Sequence, residues 1–115
     1  MPRQILLIDL IDEAAAIARY ERWHAAGAVP SEVCADIRES GVVAMEIYRT
    51  GNRLVMVVET AEDLDPEHRT RANLTIPAVE AWERQMDSVQ QPLPWAERQA
   101  KWTVAKRIFS LADQS

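Results

Sequence analysis

Residues 42–60 read VVAMEIYRTGNRLVMVVET, and how this stretch folds decides the architecture. Two runs rich in Val, Ile and Met flank Thr50-Gly51-Asn52, a turn triplet able to reverse an extended chain. The pattern predicts a hairpin and therefore an antiparallel sheet. Side chains alternate along a strand, so Glu46 and Tyr48 share one side and Met45 takes the other. The first run is expected to be a central strand.

Upstream, QILLIDL (residues 4–10) is a short apolar run suited to a buried strand. Asp12 and Glu13 then open a helix running to about Ala26, with Gly27 and Pro30 marking its end. Ser31 is placed to cap a second, shorter helix whose apolar positions are Val33, Cys34 and Ile37, and Gly41 closes it. Downstream, ETAEDLDPEHRTRANLT is polar, contains Pro66 and reads as a long loop. Pro77 suits the first turn of the next helix, where Val79, Trp82, Met86 and Val89 recur at helical spacing until Pro92. PLPWAERQAKW crosses over, and Thr103 to Leu111 returns as a last strand.

The order is β-α-(α)-β-β-α-β, the split βαβ or ferredoxin-like arrangement of the α+β class, with helices on one face of the sheet. The bare face requires a cover. A second copy packed sheet against sheet supplies one, so a homodimer is expected.

Composition narrows the function. The 115 residues are 48% hydrophobic and 27% charged with only 3 glycines, which fits one globular domain spanning 1–115. A net charge of -5, with 13 basic residues spread along the chain, disfavours a nucleic-acid partner. The early apolar run soon meets Asp9, too short for a membrane span and without a signal peptide's cleavage region. The lone Cys34 has no disulfide or redox partner, and a reducing cytoplasm is the expected compartment.

RYERWH (residues 19–24) carries the groups with chemistry in them. Tyr20 and His24 are four residues apart, so on a helix they stack on one face, together with Glu13 and Ile17. His24 reads either as a core-edge histidine satisfied by backbone or as a general acid/base titrating near pH ~6.5. Tyr20 reads as an amphipathic core residue or as a group that orients a ligand oxygen. Trp82 reads as core filler or as a flat indole suited to the C–H face of a sugar. Trp23 reads as packing, and Trp95 and Trp102 as anchors of the crossing segment. Glu46 and Glu59 are strand carboxylates, exposed or serving as acceptors, and His68 falls in the charged loop. No phosphate loop, serine nucleophile motif or metal-ligand spacing occurs, which leaves proton transfer without metal or cofactor.

In order and spacing, YERWH, IYRTGNRLVMVVE, AWERQM and IFSL resemble the landmarks of the L-rhamnose mutarotase family, across nearly the whole chain. The resemblance implies a homodimeric α+β barrel of ferredoxin-like subunits that interconverts the α and β anomers of a deoxyhexose without cofactor. It implies that His24 is the proton donor and that Tyr20 and Trp82 contact the sugar. Met45 stands where the rhamnose pattern has a tyrosine, and Glu83 where it has a second tryptophan. Because specificity depends on which hydroxyls find partners, L-fucose becomes the expected substrate, with L-rhamnose next. The complementary base is left among Glu46, Glu59, a water and a partner-subunit residue. Two other readings remain at this level: another dimeric α+β barrel protein, such as a cofactor-independent monooxygenase or haem-handling protein, and a binding module that moves no proton.

Overall fold

The expected hairpin forms. In a computed structural model that describes residues 2–61, 72–98 and 100–114, strands β2 (Val42–Thr50) and β3 (Arg53–Thr60) pair antiparallel through a two-residue turn. Gly51 makes that turn possible at φ 57°, a left-handed conformation that carries no Cβ penalty for glycine. Strand β1 (Arg3–Leu10) pairs with β3 along its length, from Arg3↔Glu59 to Asp9↔Arg53. Its other edge takes two short strands, β4 (Gln90–Gln91) and β5 (Thr103–Val104). The order β2-β3-β1-β4, all antiparallel, is that of the ferredoxin-like fold.

Two expectations change. The strand carrying Met45 is the edge of the sheet, not its centre, because β3 and β1 bury more continuous apolar sequence on the helix side and take the interior positions. The final strand is two residues long rather than spanning Thr103–Leu111. Beyond the Ala105 N–H bond to the Ile5 carbonyl (2.8 Å) the chain leaves the sheet, and Ile108, Phe109 and Leu111 are exposed. The rest of that sheet position is taken by β4, which stops at Pro92 because proline has no N–H for a ladder.

Helices α1 (Ala14–Trp23), α2 (Ser31–Glu39) and α3 (Pro77–Asp87) cover one face. Ser31 is the first residue of α2 and not its cap; its hydroxyl is directed to the Glu32 carboxylate instead of a backbone N–H. Ile8 and Leu10 of β1 and Leu54 of β3 pack against Ala16 and Tyr20 of α1, Val33 of α2, and Val79, Trp82 and Met86 of α3. A smaller cluster joins Leu6, Val42 and Val58 with Met45, Ile37 and Trp102. A bulge between Val42 and Ala44 lets Val42 face this cluster while the remainder of β2 keeps its alternation.

The register sorts the side chains by face. Met45, Ile47 and Arg49 lie opposite Val58, Met56 and Leu54 on the helix side. Ile5, Leu7, Val55, Val57, Glu46 and Glu59 lie on the bare side. On that side Asp9 is buried and accepts two bonds from Arg53 (2.7 and 3.1 Å), whose guanidinium lies over the Trp95 ring. Trp102 packs against both clusters, whereas Trp95 is largely exposed, with this cation–π contact in place of a buried anchorage.

Candidate active site

Tyr20 sits in the last helical turns of α1, and His24 directly follows the helix, its own N–H still bonded to the Tyr20 carbonyl (3.2 Å). The i, i+4 spacing therefore carries the imidazole back over the phenol, and the two rings stack with centroids 4.0 Å apart. From α3, Trp82 meets the imidazole edge-on at 5.1 Å. All three residues singled out for substrate contact and proton transfer on the helices meet at one point.

The imidazole is oriented by its backbone. Nδ1 lies 2.7 Å from the Tyr20 carbonyl oxygen, which can only accept, so Nδ1 carries the proton. In the neutral ring Nε2 is then the bare nitrogen, and no hydrogen bond engages it among the described residues. Burial pushes the His24 pKa below its ordinary value, against the opposing effect of the bond to the Tyr20 carbonyl. At neutral pH the site thus holds a neutral imidazole with a proton acceptor at Nε2.

Tyr20 is the reverse case. Its pKa is raised, first by burial; the neighbouring Gln90 side chain opposes the shift as a hydrogen-bond partner, and the charge of Glu83 adds to it. The phenol keeps its proton throughout the physiological range. Base and hydroxyl donor are therefore in contact, with protonation states held apart by their surroundings.

A cleft of about 300 Å³ opens beside this pair, lined by Tyr20, His24, Ile47, Arg49 and Leu54. Arg49 is ion-paired with Glu21 of α1 and also donates to the Gly51 carbonyl (2.7 Å). Met45 is two residues before Ile47 on the same strand face, one pleat away from the cleft and inside the smaller apolar cluster. Glu46 accepts from the Tyr48 hydroxyl (3.1 Å) on the bare face, and Glu59 lies on that face too. Neither carboxylate faces His24. His68 is outside the described residues, among which no group of three or more His, Cys, Asp or Glu side chains is arranged to hold a metal.

Sequence reasoning missed Arg49, Ile47 and Gln90. Alternation from Met45 places Ile47 and Arg49 on its face and so contained a signal for them. Nothing in the sequence marked Gln90, which reaches the phenol only because β4 pairs with the end of β1.

The sequence profile of the L-rhamnose mutarotase family matches residues 3–111. The chain belongs to this family. Its members are sugar-isomerising enzymes, so the chain is an isomerase-type enzyme of the mutarotase kind. An L-fucose mutarotase of Xanthomonas campestris pv. campestris is 41% identical over 113 residues, covering 98% of this chain and 90% of that protein. Among solved structures, an L-rhamnose mutarotase from Formosa agariphila superposes with a TM-score of 0.66 at 17% identity, covering 96% of this chain and 99% of that one. Tetracenomycin F2 cyclase from Streptomyces glaucescens gives a TM-score of 0.56 at 16% identity, with 96% of both chains covered. At such identities the two superpositions speak for the fold, and it is the fold expected from the element order.

Proposed function

We propose that this mutarotase interconverts the anomers of L-fucose in preference to L-rhamnose, with His24 as the group that moves the proton. The observation that carries the reading is the fixed tautomer: a neutral imidazole whose bare Nε2 is available beside Tyr20 and Trp82. Mutarotation opens the hemiacetal, turns the aldehyde and closes the ring on its other face, which requires only that protons leave and return. His24 Nε2 takes the proton of the anomeric hydroxyl as the ring opens, and the Tyr20 hydroxyl or a water serves the ring oxygen. On closure the imidazolium returns its proton, so His24 is a donor once it has been loaded. Trp82 gives the sugar an apolar platform.

The fucose preference is supported by the name of the 41% identical relative and by Met45, which offers no hydroxyl to a sugar. The working form is a homodimer packed through the bare sheet face, where Ile5, Leu7, Val55 and Val57 are only half-buried. Saturation-transfer NMR on both sugars tests the reading. Exchange above the uncatalysed rate, faster for fucose, is expected; no acceleration for any 6-deoxyhexose would refute it.

A further inference from the structure

Arg49 puts a charge on the apolar side of its strand. Met45 and Ile47, on the same helix-facing side of β2, pack against the two core clusters, whereas Arg49 sets a guanidinium opposite the buried Leu54. A residue that breaks the local pattern marks a place where function overrides packing. The guanidinium is held at two of its three nitrogens, Nε donating to the Glu21 carboxylate of α1 and Nη1 to the Gly51 carbonyl at 2.7 Å. Among the described residues, none accepts from Nη2 and none donates to Glu21 Oε1. Both side chains line the cleft with Tyr20 and His24, and Glu21 precedes His24 by three residues, which makes them neighbours on the helix surface. The buried Gln90 Oε1, which has no partner among the described residues, belongs instead to a cavity beside Asp87 and Lys101 that shares no residue with this cleft. With side chains 36% and 54% exposed, the Arg49–Glu21 pair contributes little to stability. Its place in the cleft calls for another role.

We infer that Glu21 and Arg49 form a sugar-binding, specificity-determining clamp: Arg49 Nη2 donates to one ring hydroxyl, and Glu21 Oε1 accepts from the hydroxyl on the adjacent carbon. The inference rests on the mutarotase reading above. Two neighbouring hydroxyls can offer an acceptor and a donor side by side, and the ion pair offers the complement, with both bonds charge-assisted. Because Glu21 and Gly51 already fix the guanidinium, little freedom is lost when the sugar arrives. Ile47 and Leu54 in the same cleft meet the C–H surface of the ring. A fixed donor and acceptor also discriminate between sugars, since a hydroxyl that is missing or turned away leaves one of them without its partner.

The test measures KM and kcat of anomer exchange by saturation-transfer NMR, for native protein, Arg49→Met and Arg49→Lys, on L-fucose and its 2-, 3- and 4-deoxy forms. Folding is followed by circular dichroism and thermal melts. For native protein, two forms lacking neighbouring hydroxyls are expected to show KM roughly tenfold or more above that of L-fucose. Arg49→Met should raise KM for L-fucose by about tenfold or more and close the gap to one of those forms, with a smaller effect on kcat, as expected when binding common to ground and transition states is lost. Arg49→Lys keeps a charge beside Glu21 but lacks the planar fork that reaches Glu21, Gly51 and the sugar together, so its KM should stay raised while its melting temperature is native. It carries the test by itself if the methionine variant does not fold. Native KM in folded Arg49→Met, native KM in Arg49→Lys, or native protein without a sensitive pair of neighbouring hydroxyls overturns the clamp and leaves the mutarotase reading intact. Native protein that exchanges no 6-deoxyhexose overturns both.

Discussion

The imidazole of His24 lies 4.0 Å from the phenol ring of Tyr20, inclined by 27°, while its Nδ1 is tied to the carbonyl of that same tyrosine. One residue thus both stacks on the histidine and fixes its tautomer. Replacing the Tyr20 side chain leaves the carbonyl in place, so the two roles can be separated by mutation.

Removing the imidazole should stop the chemistry without unfolding the protein. His24 is half-buried and follows the end of α1, so His24→Ala is expected to retain native circular dichroism and to slow anomer exchange by about 10²-fold or more. Native exchange rates in a folded His24→Ala variant would remove His24 from the mechanism.

The pH dependence has a defined sign. Burial lowers the folded pKa of His24 below the ~6.5 of the unfolded chain, so the unfolded state binds more protons between the two values. The contribution of His24 to stability is therefore fully present above pH ~6.5 and is lost as pH falls through the folded pKa. Exchange should fall across the lower part of this range, when Nε2 becomes protonated. Urea midpoints and kcat/KM measured at several pH values check this, and His24→Gln should flatten this component of the stability profile.

Trp82 and Tyr20 should differ in what their loss costs. Trp82 packs against Tyr20, Val79 and Met86, and truncating it to Ala opens a cavity worth about 3–5 kcal/mol. Tyr20→Phe removes one hydroxyl from a side chain that keeps its packing, with an expected loss of about 1–2 kcal/mol. Thermal melts of the two variants give the comparison; a silent Trp82→Ala contradicts the inward-facing helix.

Met45→Tyr should move the sugar preference. Position 45 is about 7 Å along the strand from Ile47 in the cleft, on the same face, so a tyrosine there brings a hydroxyl toward the bound sugar. The ratio of fucose to rhamnose exchange is expected to fall by roughly one power of ten, corresponding to about 1–2 kcal/mol for a hydroxyl that gains its partner. An unaltered ratio removes Met45 from specificity.

The bare sheet face gives a further expectation. Val57→Glu puts a charge among Ile5, Leu7 and Val55 and should convert a dimer into a monomer in light scattering. A native protein that is monomeric and fully active at nanomolar concentration would exclude the sheet-to-sheet assembly.

What the sequence determined by itself was local. Gly51 permits a two-residue turn, the apolar spacing of α1 and α3 specifies one buried stripe on each, and four residues of helix place His24 over Tyr20 whatever surrounds them. The family landmarks added Trp82 by their order along the chain. Tertiary structure decided what depends on distant segments meeting. The edge position of β2 follows from competition among three strands for the interior of one sheet, which no single strand's pattern reports. The division of the last strand position between Gln90–Gln91 and Thr103–Val104 follows from Pro92 and from where the crossing segment returns to β1. The Trp82 contact with His24, the Asp9–Arg53 pair and the unsatisfied Gln90 carbonyl likewise exist only once α1, α3 and the sheet are packed. Periodicity tells which face of an element is buried, and only packing selects the groups that it meets there.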